Sequence, residues 1–462
     1  MITVLKDKYF MHWRIHSKKD PRLLERSLIL RTASRFFSNL RDPLANLYAM
    51  LFPWVVYLLT PALLFSILFV PRFPVATVRS FYQVDLKLED LFLVAVALVV
   101  LCGLFAKFLR HSIRLAQGSA VETFFLAFLI ACQLSILSGI YLRTIDKPLV
   151  SLLYLGKWME YFLAFIIGLR LCADEKTGRF FLQVFFFLGL AVALYGYWEH
   201  FSPAAKAVYP NYYRLYERAP FHGDANHMGG FLVFWFAVFL GIFLKSDKPM
   251  QQKIILLALL FVFFPLIWTY SRKSYFALVA ILGAAFFIPA SKRRVILMVC
   301  LVMLLGLLLP TRLSERLLDL GETFTATDPF HSSWAGNVDV WKNSLWNFDR
   351  FFLLGSGLGS RHRLYYESQY VLVLAETGLI GIFAFALLLL APLREFLKAL
   401  SGRLSVEGKG LAFGWILGLV GLAVHNISCV SLTVSKVAIP FWWLTGVLIA
   451  LVRFDVKPKA EI

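Results

Sequence analysis

The sequence predicts an all-α, polytopic membrane protein of about twelve transmembrane helices, and three observations carry that expectation. Hydrophobic residues make up 59% of the 462 and charged residues 16%, with a mean hydropathy of +0.71, more apolar surface than one soluble core hides. The apolar residues fall in runs long enough to cross a bilayer. Lys and Arg cluster in every second gap between those runs, as short cytoplasmic loops require.

In chain order, residues 1–50 read as a cytoplasmic basic segment. Within it, Leu23 to Leu40 mixes Leu, Ile and Phe with Arg26, Arg31 and Arg35, a spacing that fits either a basic amphipathic helix on the inner leaflet or a solvated arm that enforces topology. No cleavable signal peptide is expected, because the first long apolar run begins near Leu51, behind a basic region longer than a signal n-region. Residues 51–310 hold spans one to nine, at about 51 to 70, 90 to 107, 120 to 141, 149 to 171, 179 to 198, 227 to 244, 254 to 270, 275 to 290 and 295 to 310. A large loop, 311–367, follows; residues 368–453 hold spans ten to twelve at about 368 to 391, 409 to 428 and 437 to 453, and 454–462 form a tail.

Charge sets the orientation. Lys107, Arg110 and Arg114 follow span two, Lys176 and Arg179 span four, and Lys245, Lys248 and Lys253 span six. Lys292, Arg293 and Arg294 follow span eight, Arg394, Lys398 and Arg403 span ten, and Arg453, Lys457 and Lys459 span twelve. An even number of spans with both ends in the cytoplasm follows. The net charge of +19 is thereby assigned to topology, and no nucleic-acid partner is expected, since the basic residues form no continuous face. The five cysteines lie in or beside apolar runs without metal-ligand spacing, so no disulfide framework is expected.

Two loops on the opposite side, 199 to 226 and 311 to 367, are too long for turns. Arg214, Arg218, Arg272, Arg312, Arg316, Arg350, Arg361 and Arg363 all fall on that side, against the charge rule. Pairing with acidic neighbours or headgroups accounts for any one of them; the cluster points to a lipid-linked phosphate, which a guanidinium matches with a planar fork of donors. Arg218 opens RAPFHGDANHMGG, where a turn leads into span six and its positive end. Arg272, in TYSRKSYFALVA, occupies a very short turn at the membrane boundary. In LLGSGLGSRHRLYYESQ, Gly355, Gly357 and Gly359 make the approach flexible or sharply turned. Glu367 stands where span ten begins, as a carboxylate favoured by the helix dipole or as a functional acid. No βαβ unit surrounds the glycines, which excludes dinucleotide binding. Lys157 and Glu160, three apart within span four, read as an intramembrane ion pair; His425 and Asn426 line a cavity or cap span eleven.

The order of RAPFHGDANHMGG, YSRKSYFALVA, LLGSGLGS and ESQYVLVLAETGLIG resembles the superfamily of O-antigen ligases and Wzy-type O-antigen polymerases, from about span four to the end. The ligase pattern His-Asn-x-Tyr-Leu-x-x-Leu-x-Glu-x-Gly is met by Glu367, Ser368, Tyr370, Val371, Leu374, Glu376 and Gly378. Glu367 replaces the histidine that serves as the ligases' base, which favours the polymerase branch. Asn337, in AGNVDVW, stands where relatives often carry an arginine. The resemblance implies a GT-C-like fold with a large helical periplasmic loop between helices nine and ten. It also implies a glycosyltransferase in the bacterial inner membrane, its site facing the periplasm, that transfers glycan from undecaprenyl diphosphate to a lipid-linked repeat unit. Glu367 is then the base; Arg218, Arg272, Arg363 and Arg361 hold the diphosphate; His222, Asn226, Tyr366 and Tyr370 contact sugar. No Asp-x-Asp occurs, so neither cofactor nor metal is expected, arginines neutralising the leaving group. Expected partners are the lipid-linked oligosaccharide donor and acceptor, membrane lipids, a chain-length regulator and a flippase. A ligase acting on lipid A core or protein remains in play within the superfamily. A secondary transporter or lipid flippase remains in play outside it; twelve spans with Lys157 and Glu160 suit that class, while the lack of a repeat between halves does not.

Overall fold

The computed structural model describes residues 43, 46–69, 74–78, 84–87, 90, 93–102, 119–202, 214–216, 225–287, 292–307, 341–343, 351–360, 367–402 and 404–456. A helix stands at each of the twelve predicted spans: α1 (Asn46–Phe69, with a π turn at Val55–Leu59), α2 (Leu93–Cys102), α3 (Ala120–Tyr141), α4 (Pro148–Leu171), α5 (Glu175–Phe201), α6 (Ala225–Lys245), α7 (Pro249–Trp268), α8 (Arg272–Phe287), α9 (Lys292–Leu307), α10 (Gln369–Ser401), α11 (Val406–His425) and α12 (Ser435–Val456). Among the described residues nine of these, α1, α3 to α7 and α10 to α12, are long and apolar enough to cross a membrane. The protein is a multi-pass membrane protein. The amphipathic segment expected at Leu23 to Leu40 lies outside the described residues.

One departure from an all-α chain is a short antiparallel hairpin, β1 (Pro74–Val78) with β2 (Val84–Lys87), pairing Thr77 with Asp85 and Val78 with Val84. The β-branched run in PVATV favours a strand in a segment too short to span. The chain forms two compact units, Met1–Tyr57 with Leu98–Gln117, and Leu58–Ala97 with Gly118–Ile462. Every contact described below belongs to the second.

Helix direction alternates, as the loop charges require, and the contacts at helix ends record it. At one end Arg170 closes α4 on Glu122 of α3, and Arg179 of α5 bridges Glu175 at 2.8 Å and Glu407 of α11 at 2.9 Å. Arg453 of α12 meets Glu395 of α10 at 3.1 Å there, while Arg294 of α9 caps the last carbonyls of α6 at Phe243 and Leu244. The opposite end collects the C-termini of α3, α5, α7 and α11 and the N-termini of α6, α8 and α10. Among the described residues, the basic positions after α4, α6 and α8 and at the ends of α10 and α12 therefore share one end of the bundle.

Helix α6 is buried along its whole apolar window and forms the axis of the second unit. Its neighbour α11 approaches at Gly241 and Gly414, where a β-carbon on either would overlap the other helix's backbone; small residues of this kind let membrane helices pack by van der Waals contact. Trp235 of α6, Trp415 of α11 and Trp442 and Trp443 of α12 are fully buried. The Lys157–Glu160 pair forms, at 3.1 Å, and gains a third member that the sequence reading missed: Asp90, 2.5 Å from Lys157. All five cysteines are free.

Helix α10 is broken at Gly378, with φ 65° and ψ −165°. The polar groups released by the break bond to residues 351–360. Ser356 and Gly357 donate their N–H groups to the Ala375 and Glu376 carbonyls, while the Leu379 and Ile380 N–H groups reach the Phe352 and Leu353 carbonyls, all at 2.9 to 3.1 Å. Gly355, Gly357 and Gly359 all have positive φ, so the glycine run is sharply turned rather than slack. Thr144 and Ser135 of the α3 region donate to Ser356 and Glu376 carbonyls and lock the strap in place. Residues 351–360, counted with the outer loop on sequence, are thus part of the bundle.

Candidate active site

The site begins with the turn between α7 and α8. Thr269 ends α7, its N–H and hydroxyl both bonding back to Leu266. Tyr270 takes φ 47°, an uncommon conformation for a non-glycine residue. Ser271 then starts α8, its carbonyl accepting from Ser274 and Tyr275. The reversal takes so few residues that Arg272 and Lys273 occupy the first turn of α8, where the helix N-terminus adds positive potential.

Lys273 donates to Glu367 Oε2 at 2.9 Å, a contact that spans 94 positions in sequence. Its side chain is 17% exposed and that of Glu367 35%. Glu367 precedes the Ser368 cap of α10, whose hydroxyl accepts from Val371. The Gln369 N–H is held by the Asn426 and Cys429 carbonyls at 3.0 and 2.9 Å. The start of α10 is therefore fixed by the end of α11.

A buried polar network joins the same helix ends. His425, the last residue of α11, lies 3.0 Å from the Ser431 hydroxyl through Nδ1 and 3.3 Å from the Ser274 hydroxyl through Nε2. Asn426 accepts from the Ser431 N–H at 2.9 Å. Burial disfavours a thiolate at Cys429, yet His227 and His425 outweigh it and hold the thiol well below its usual range. Among the described residues no group of His, Cys, Asp or Glu is disposed to hold a metal ion. Gly229 and Gly230 at the start of α6 admit Ser274 and His425 where a β-carbon would crowd them. Of the two readings of His425 and Asn426, the structure supports the cap: Asn426 is the C-cap of α11, its N–H donating to the Leu422 and Val424 carbonyls.

Arg214 resolves differently from the arginine cluster as a whole. Its Nε donates to the Thr269 carbonyl at 2.9 Å, the negative end of α7, and its second arm to Asn226 Oδ1 at 2.8 Å. Asn226, a candidate for sugar contact, spends its side-chain oxygen on orienting this arginine. Tyr216, buried beside it, is held by Glu199 through its N–H and by the Val192 carbonyl through its hydroxyl. Tyr370, the other described sugar candidate, donates its hydroxyl to the Ala423 carbonyl at 2.8 Å. Arg218, His222, Arg361, Arg363 and Tyr366 lie outside the described residues; the described neighbours on either side, Tyr216, Ala225, Ser360 and Glu367, bracket them.

Of the site residues named on sequence, Arg272, Glu367, Asn226 and Tyr370 are described; Lys273 and the pairing of Arg214 with Asn226 and the end of α7 were not foreseen. A lysine beside a candidate arginine carries no local signal of its partner. The arrangement joins a carboxylate and an ammonium at two helix N-termini, with Arg272 in the same first turn of α8 as the ammonium, which suits an anion next to a proton acceptor. Residues 256–386, from α7 to the first turns of α10 after the break, match the protein family described as O-antigen ligase. No curated protein matches the chain.

Proposed function

From the match of residues 256–386 to the family described as O-antigen ligase, we propose that this chain is a repeat-unit polymerase of the superfamily of O-antigen ligases and Wzy polymerases. It transfers a growing glycan from undecaprenyl diphosphate to a lipid-linked repeat unit at the periplasmic face of the inner membrane, by a GT-C-like mechanism that needs no metal. The observation that carries the proposal is the contact of Lys273 with Glu367, because it sets the Arg272 end of α8 against the carboxylate at the start of α10.

In this reading Arg272, aided by the α8 N-terminus and by Arg218, Arg361 and Arg363, binds the donor diphosphate. Glu367 accepts the proton of the acceptor hydroxyl as its oxygen attacks the anomeric carbon. The bond from that carbon to the diphosphate oxygen breaks, and its electron pair leaves with the diphosphate, whose charge the guanidiniums stabilise. Glutamate in place of the ligases' histidine supports the polymerase over the ligase. Polymerisation of an undecaprenyl-diphosphate repeat unit by purified protein, in EDTA, tests this. Wild type yields a ladder of lipid-linked products, and Glu367→Gln and Arg272→Ala each lower the rate by about 10²-fold or more. Transfer to added lipid A core without a ladder establishes the ligase instead; neither product returns the question to transport.

A further inference from the structure

The Lys273–Glu367 pair poses a difficulty for the mechanism just described, and its geometry points to the solution. A carboxylate that receives a charge-assisted hydrogen bond from an ammonium at 2.9 Å has one oxygen committed and its charge compensated, the opposite of what a proton acceptor needs. We propose that Lys273 is a shared counter-ion that passes from Glu367 in the empty site to the donor diphosphate in the loaded one, freeing the carboxylate only when the donor is in place.

Three features support an exchange rather than a fixed bridge. Lys273 follows Arg272 in the first turn of α8, so the group proposed to bind diphosphate and the group on Glu367 share one helix end. Both side chains of the pair are part-exposed, 17% and 35%, so a ligand reaches them and water weakens their mutual hold. Lysine is suited to the move: its ammonium turns on a four-carbon stem and presents three donors, whereas an arginine fork favours one fixed bidentate geometry. A diphosphate offers more negative charge than a single carboxylate. The surroundings do not shift with Lys273, because Ser274, the next residue, is pinned to His425. The exchange would suppress attack by a hydroxyl or by water at a site without donor. In the reaction Lys273 contacts the leaving group and thereby positions Glu367 for its proton.

This inference rests on Glu367 as base, and the experiment separates the two ideas. Undecaprenyl diphosphate binding and donor kcat and KM are measured for full-length protein in nanodiscs, as wild type, Glu367→Gln, Lys273→Met, the double variant and Lys273→Arg. If Lys273 must leave Glu367 to bind, Glu367→Gln binds the diphosphate more tightly by about two- to fivefold, the worth of a part-exposed ion pair. The double variant loses that gain. Lys273→Met raises the donor KM and lowers kcat by about 10²-fold, and Lys273→Arg, whose fork favours a fixed bridge to Glu367, leaves most of the loss in kcat in place. Tightening that persists in the double variant reports the removed charge alone and overturns the exchange, as does unchanged binding by Glu367→Gln. Turnover by Glu367→Gln at the wild-type rate overturns the base assignment itself, and the exchange with it. The binding series reads out on variants that retain their fold even where turnover is lost.

Discussion

Two side chains near Glu367 show how burial and partners decide a residue's task. Tyr370 spends its hydroxyl on the Ala423 carbonyl, so Tyr370→Phe is expected to lower stability by about 1 kcal/mol and leave the donor KM unchanged; a raised KM in steady-state assays would return Tyr370 to the sugar contacts. Gln369 is fully buried, and among the described residues neither its Oε1 nor its Nε2 has a hydrogen-bond partner. An unpaired buried amide costs about 1 to 3 kcal/mol. Gln369→Leu, close in volume and without that cost, is therefore expected to raise the melting temperature in detergent. Lys273 belongs to the same scale: the residue type was visible in sequence, but its partner lies across a loop that no local pattern bridges.

At the scale of elements, α10 depends on a break and a strap. Gly378 adopts a conformation that costs a non-glycine residue about 1 to 3 kcal/mol, and a β-carbon there would also overlap the Leu353 backbone. Gly378→Ala is expected to lower the melting temperature and to expose residues 351–360 to limited proteolysis, since the strap holds only to a correctly opened helix. The helix itself was legible from its apolar length. The break was not, because Ala-Glu-Thr-Gly reads as continuous helix until a second segment supplies partners for the freed carbonyls. The ion pair in α4 repeats the lesson. Lys157 and Glu160 were readable at a spacing of three, while Asp90 came from a distant element. Lys157→Met would remove the ammonium that both Asp90 and Glu160 meet, and is expected to cost about 3 to 5 kcal/mol; partial recovery in Lys157→Met with Asp90→Asn, read by thermal unfolding, would confirm the cause.

For the whole molecule, alternation of helix direction makes a definite topology prediction. Single cysteines placed at Ser202 and Arg143, near the end that holds Glu367, are expected to react with an impermeant maleimide from outside the cell, in a background lacking the five native cysteines. Cysteines at Asp174 and Ser401, at the end with the Arg–Glu pairs, are expected to react only after lysis. Labelling of both sets from outside would refute the orientation. What the sequence alone determined is that this is a multi-pass membrane protein and where along the chain its apolar helices lie, because a bilayer demands a minimum apolar length, which is a local property of the chain. It also singled out Arg272, a positive charge on an unfavourable side, and Glu367, an acid at the start of span ten. Only the tertiary structure decided which charges meet. The Lys273–Glu367 contact, the diversion of Arg214 to the end of α7, and the strap across α10 each join residues far apart in the chain, and such pairing depends on how helix ends pack rather than on any segment's own composition.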